Sequence, residues 1–172
     1  MSDLAINGGR PVRPTALPYG RQSIDEDDIS AVADVLRSDW LTSGPKVAEF
    51  EAAIAERVGA AYAVAVSNGT AALHAAMFAA RIQPGDEVIV PPLTFVATAN
   101  CVRYQGGTVV FADVDRDTLC IDPDCVEAAV TPRTRAIIGV DYAGRPADLA
   151  RLRDLSTRHG LLLAEDAAHA LG

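Results

Sequence analysis

Four stretches of this chain carry side chains whose types and spacing could do chemistry. In Ser67-Asn68-Gly69-Thr70-Ala71-Ala72 an apolar run stops, a glycine lets the backbone turn, and a helix pattern begins. Amides at a helix start, with the Thr70 hydroxyl beside them, make a cradle for an anion such as phosphate. Asn68 and Thr70 also serve simply as helix caps. The stretch is neither the GxGxxG of dinucleotide binders nor a P-loop, since no Gly-Lys-Ser/Thr follows. Pro91 to Asn100 reads PPLTFVATAN, with Phe95 placed one residue into a helix at the end of another apolar run. Its ring could stack on a flat ligand or pack in the core. Asp166 and His169 follow Leu161-Leu162-Leu163-Ala164. An ionised carboxylate there is costly unless something cationic pairs with it, and a protonated ring nitrogen would serve. A turn-forming or capping aspartate is the plainer alternative. The fourth stretch, WLTSGPK, offers Leu41, Thr42, Ser43 and Gly44 either as a clamp on a ligand or as an ordinary Gly-Pro corner.

These residues need elements to hold them. SIDEDDISAVADVLRSD predicts a helix from Ser23, with Ser23 and Glu26 as a capping box and Ile29, Val32, Val35 and Leu36 as its apolar stripe. A second amphipathic helix carries Val47, Phe50, Ile54 and Val58 and stops at Gly59. Strands at 61–67, 86–92, 107–114, 135–142 and 161–166 then alternate with helices at 69–80, 94–105, 122–130 and 145–160. The strands are continuous apolar runs rather than in/out alternations, which suits a mostly parallel sheet with helices on both faces. The expected class is α/β, and in such sheets ligands collect at the carboxyl ends of the strands.

Bulk properties narrow the function classes. The 172 residues are 49% apolar and 22% charged, the composition of a folded domain rather than a disordered or membrane chain. No apolar run is long enough to cross a bilayer, and MSDLAINGGRPVRP lacks the apolar core of a signal peptide, so the protein is read as cytoplasmic. A net charge of −8 argues against a nucleic-acid partner. Cys101, Cys120 and Cys125 form no metal-ligand spacing and are read as ordinary thiols, with no metal expected. His74 and His159 stand alone and are given no role. The single lysine in the chain is Lys46.

Combined, the pieces sketch a flat, phosphorylated, protonatable cofactor. Its phosphate would sit at Gly69–Ala71, its ring against Phe95 and its ring nitrogen on Asp166. Pyridoxal 5'-phosphate fits that description, because a carboxylate opposite the pyridinium nitrogen keeps the ring protonated and able to accept electrons.

The order LTSGPKVAEFE, VAVSNGTAAL, GDEVIVPPLTFVATAN, VVFADVD, TPRTRAIIGVDYAGRPADL and LLAEDAAHALG resembles the DegT/StrS-type sugar aminotransferases, from about Pro18 to the last residue. The resemblance implies a fold type I (aspartate aminotransferase) large domain, here incomplete, over residues 23–172 behind an N-terminal arm of residues 1–22. It implies pyridoxal phosphate held by the amides of Thr70 and Ala71 next to Gly69, by Phe95 on the ring and by Asp166 on its nitrogen. His169 would reach the ring hydroxyl, and Leu41, Thr42, Ser43 and Gly44 would lie near a nucleotide sugar. TFVATAN, VDYAG and HALG look most like the pseudaminic acid branch, which aminates C4 of a UDP-linked 4-keto-6-deoxy-N-acetylhexosamine with glutamate as donor. Homodimers are usual among such enzymes.

One feature of the family is missing. Its cofactor-bearing lysine lies beyond the aspartate strand, in a Ser-Phe…Lys stretch that does not occur in these 172 residues. Lys46 matches the substrate-side loop instead, so this polypeptide alone is expected to be inactive as a transaminase. The resemblance also implies that further strands of the family's sheet lie between 61–67 and 135–142, which would leave a slot there. A non-catalytic fragment or half of a split enzyme acting as a binding or dimerisation module is one alternative. A pyridoxal-phosphate-dependent sugar dehydratase is another. A nicotinamide-dependent oxidoreductase is disfavoured by the lack of GxGxxG.

Overall fold

The computed structural model describes residues 4–18 and 20–171. Parts of the predicted arm (residues 1–3 and Tyr19) and Gly172 of HALG therefore lie outside the described residues. The described residues fall into two compact units that divide between Val64 and Ala65. No described helix is long and apolar enough to cross a membrane.

The first unit holds α1 (Glu26–Arg37) and α2 (Pro45–Val58). α1 is capped by Asp25, whose side chain accepts from the Asp27 and Asp28 amides at 3.0 and 3.1 Å while Asp28 accepts from the Asp25 amide at 3.0 Å. The capping box expected at Ser23 and Glu26 thus forms two residues later, at Asp25 and Asp28. Aspartate caps as well as serine does, and the acid-rich run offers the same three-residue spacing twice. α2 begins with Pro45 at its first turn, where a missing N–H costs nothing, and ends at Gly59 in the left-handed region.

The second unit is built on four parallel strands. β1 (Glu87–Val90), β2 (Thr108–Phe111), β3 (Thr134–Val140) and β4 (Leu162–Asp166) lie in the order β2-β1-β3-β4. α3 (Gly69–Ala79) and α4 (Ala97–Tyr104) precede and follow β1; α5 (Pro123–Ala129) and α6 (Leu149–His159) flank β3. The period of two sorts the side chains. Val88, Val90, Ala136 and Ile138 meet Met77, Cys101 and Val102 of α3 and α4. Ile89 and Ile137 meet Val126 of α5 and Leu152 and Leu155 of α6. Helices therefore cover both faces, as the continuous apolar strands require. At the amino edge, buried Glu87 accepts from Arg133 Nε at 2.9 Å and from the Thr131 hydroxyl. The Thr131 hydroxyl first, then Arg133, holds that carboxyl below its ordinary range.

Two expectations are corrected here. Residues 61–67, predicted as a strand, are not part of the sheet, although the apolar run is there. A strand exists only by its ladder to a neighbour, and composition alone supplies none. Nor does a slot open beside strand 135–142: β3 is hydrogen-bonded on one side to β1 and on the other to β4. The free edges belong to β2 and β4.

Ile137 has no exposed surface and lies on the central strand β3. Ile137→Ala should lower stability by about 2–5 kcal/mol, read from urea unfolding. A loss below about 1 kcal/mol would mean that this face is not close-packed.

Candidate functional site

Strand alternation decides where each carboxylate at the end of β4 points. Asp166 is on the α3–α4 face with Ala164, and Glu165 is on the α6 face with Leu163. Asp166 Oδ2 accepts the Thr98 hydroxyl at 2.8 Å, and Thr98 Oγ1 lies 2.8 Å from Thr94 Oγ1. The other oxygen, Oδ1, has a 3.4 Å bond from the Ala168 amide. Thr94, Phe95, Asp141, Tyr142, Asp166 and His169 line one cavity of about 70 Å³ at the carboxyl ends of β3 and β4. Phe95 is 72% exposed, so its ring is open to a ligand rather than packed in the core. It also precedes α4 instead of lying one residue inside it, since the helix begins at Ala97. Three of the expected site residues, Phe95, Asp166 and His169, thus meet in one place.

The floor of this site is stiffened by backbone contacts. The Asp141 amide donates to the Asp166 carbonyl at 3.1 Å. Gly144 has a φ of +86° and a Cβ there would stand 3.0 Å from the His169 carbonyl oxygen. Only glycine fits that turn both conformationally and sterically.

On the opposite face, the buried Asp141 carboxylate accepts from the Ala147 amide at 2.9 Å. Glu165 is its neighbour across β3 and β4. Desolvation first, then the hydrogen bond and charge of Asp141, pushes the Glu165 carboxyl up to about 7.

The anion turn is partly occupied by the protein itself. Asn68 Oδ1 accepts from the Ala71 amide at 2.9 Å and caps α3. The Gly69 and Thr70 amides, in the first turn, have no acceptor within the helix. α3 packs on the Asp166 face of the sheet and its C-terminal end leads to the amino edge of β1. Its N-terminus therefore faces the carboxyl edge, though Gly69, Thr70 and Ala71 do not line the cavity. Gly69 is not in the left-handed region, and a Cβ on it would meet no atom within 4 Å. The expectation that glycine is needed there for a tight turn is not met: the turn is one any residue could adopt.

In the first unit, Leu41, Ser43 and Gly44 line a separate cavity of about 230 Å³ with Trp40 and Lys46, whereas Thr42 is not in its lining. A Cβ on Gly44 would stand 2.8 Å from Trp40 Cβ, so this glycine is required by close approach. Lys46 pairs with Glu49 one turn along α2.

The sequence profile of the DegT/DnrJ/EryC1/StrS aminotransferase family matches residues 22–172. The chain belongs to that family. It resembles S. venezuelae DesV at 44% identity over 84% of this chain and 39% of that one, with a TM-score of 0.81. The aminotransferase from Psychrobacter cryohalolentis is 39% identical over 90% of this chain and 40% of its own, with a TM-score of 0.85. Spr1654 of Streptococcus pneumoniae, in its PMP form, is 33% identical over 91% of this chain and 43% of its own, with a TM-score of 0.86. The chain thus spans about two-fifths of the length of these relatives. The shared structure is that of a fold type I pyridoxal-phosphate transferase, over part of its sheet.

Within this family frame, sequence reasoning missed Thr98, Thr94 and Asp141. The i, i+4 spacing of the two threonines in TFVATAN was the available signal, since it places both hydroxyls on one side of a helical turn.

Glu165 binds its proton more tightly when folded, so between pH of about 4.5 and 7 the native state holds the extra proton and stability falls as pH rises. Glu165→Gln should therefore unfold at higher denaturant than the parent at pH 8 and at a similar concentration at pH 4; an equal effect at both pH values would refute the raised carboxyl. At the anion turn, Asn68→Ala should cost about 1 kcal/mol. Gly69→Ala should leave stability unchanged or raise it by up to about 1 kcal/mol. Urea unfolding checks both, and a destabilising Gly69→Ala would restore a structural need for glycine.

Proposed function

We propose that this chain carries the cofactor-anchoring part of a pyridoxal-phosphate-dependent sugar aminotransferase. The observation that carries the proposal is the convergence of Phe95, Asp166 and His169 on one cavity at the carboxyl ends of β3 and β4. The site fits the group chemically. It offers an open aromatic face, a carboxylate with an oxygen not committed to a side-chain donor, and an imidazole, all at one rim. Spr1654 is known in PLP and PMP forms, which supports the same choice of cofactor.

Each residue then has a definite task. Phe95 presents its face to the pyridine ring. Asp166 would accept a hydrogen bond from the protonated ring nitrogen, and its charge would keep the ring cationic. His169, on the same cavity, would meet the ring hydroxyl. The Gly69 and Thr70 amides, at the positive end of α3, receive the phosphate, and Ala71 joins them when Asn68 yields its amide. When bound, pyridoxal phosphate supplies the electron sink that amino-group transfer needs.

For the substrate, we infer a UDP-linked 4-keto-6-deoxy-N-acetylhexosamine aminated at C4, with glutamate as amino donor, as in pseudaminic acid synthesis. TFVATAN, VDYAG and HALG support that branch. The cavity around Leu41, Ser43 and Gly44 would contribute to the nucleotide-sugar side. A homodimer in the cytoplasm completes the proposal.

The chain should bind pyridoxamine 5'-phosphate, followed by its absorbance and fluorescence. Asp166→Asn should weaken that binding by about tenfold or more, the equivalent of one charged hydrogen bond. Where a Ser-Phe…Lys segment accompanies this chain in its native host, the purified protein should form a 4-amino sugar from the UDP-linked ketone and glutamate, whereas these 172 residues alone should not. No binding by the parent chain would sink the cofactor assignment. Turnover with a different nucleotide sugar alone would sink the substrate assignment and leave the cofactor one standing.

A further inference from the structure

We propose that Thr98 is the positioning residue that fixes the Asp166 carboxylate toward the ring nitrogen, an inference that rests on the cofactor assignment above. Thr98 has no exposed surface, and its hydroxyl stands 2.8 Å from Asp166 Oδ2 and 2.8 Å from Thr94 Oγ1. An ionised carboxylate only accepts hydrogen bonds, so the Thr98 proton is committed to Asp166. Thr98 can then only accept from Thr94. The hydrogen bonds run one way: Thr94 donates to Thr98, and Thr98 donates to Asp166.

This polarity has two consequences. It ties down Oδ2, leaving Oδ1 with only the 3.4 Å bond from the Ala168 amide and therefore free to accept from a cationic N–H. It also restricts the carboxylate to one rotational setting, because Thr98 sits on a helix whose neighbours Ala97, Cys101 and Val102 are buried. Thr98 is fully buried and its hydroxyl is held between Asp166 and Thr94, so turning it to its other helical rotamer would break both bonds and press the methyl into that place. Without that donor the carboxylate is free to rotate and to be satisfied by water.

A structural role alone would predict that loss of Thr98 harms every ligand of the cavity equally. A positioning role predicts a loss that depends on the ring nitrogen. The test is to titrate the chain with pyridoxamine 5'-phosphate and with its analogue in which CH replaces the ring nitrogen, for the parent, Thr98→Val and Thr98→Ser. Thr98→Val should weaken binding of the cofactor by about tenfold, while changing binding of the nitrogen-free analogue less than about twofold. Thr98→Ser keeps the donor and should restore most of the affinity. If Thr98→Val does not fold, by circular dichroism, Thr98→Ala serves the same comparison, because it removes the hydroxyl without setting a methyl against a carboxylate. Equal weakening for both ligands, or none for either, overturns the proposal while leaving cofactor binding itself intact. Failure of the parent chain to bind pyridoxamine 5'-phosphate overturns the cofactor assignment and this proposal with it.

Discussion

A negative charge at the end of an apolar strand must be solvated by something, and here the protein does it with a hydroxyl on a helix. The Thr98–Asp166 hydrogen bond is possible only because α4 lies on the same face of the sheet as the Asp166 side chain. That placement depends on register. β3 and β4 pair Ile138 with Ala164 and Val140 with Asp166. A slip of one residue would turn Asp166 toward Leu152 and Leu155 and bring Glu165 to α4. Small Ala164 among Met77, Val102 and Ile138, with larger Leu163 against α6, makes the observed register the one that fills both faces. Core packing and site geometry are thus set by the same alternation.

The same alternation separates two adjacent carboxyl groups chemically. Asp166 meets a hydroxyl donor, whereas Glu165 meets the carboxylate of Asp141. Burial and the facing Asp141 carboxylate oppose the charged form of Glu165. Asp141 connects the two faces: its amide donates to the Asp166 carbonyl while its side chain accepts from Ala147. A change on the α6 side of the sheet is therefore not remote from the cavity.

Much of this was legible in the residues. The α/β class, six of the helices and four strands follow from apolar runs and periodicity, and Asp166, Phe95 and His169 follow from their places at strand ends. What was not legible has a common physical origin. The run at 61–67 is apolar enough for a strand, but pairing depends on a neighbour that composition does not name. The cap of α1 moved from Ser23 to Asp25 because an acid-rich segment offers several caps of similar strength, and the choice between them is made by a few tenths of a kcal/mol. The position of strand 134–140 between two others is a property of topology, and a resemblance to complete sheets misplaced it. Thr98 carried only the weak signal of its spacing from Thr94, because a threonine among apolar helix residues reads as core until its hydroxyl is seen to have somewhere to go.

The start of α3 shows how stability and binding draw on the same donors. A helix N-terminus has a fixed set of unsatisfied amides, and Asn68 satisfies one of them from within the chain. A phosphate arriving at this turn finds the Gly69 and Thr70 amides without helical acceptors and the Ala71 amide already bonded. Taking all three would require the anion to displace a neutral cap worth about 1 kcal/mol, a cost of the same order as what one charge gains at the positive end of a helix. The cap therefore holds the helix start in helical form before a ligand arrives and yields only to an acceptor stronger than itself.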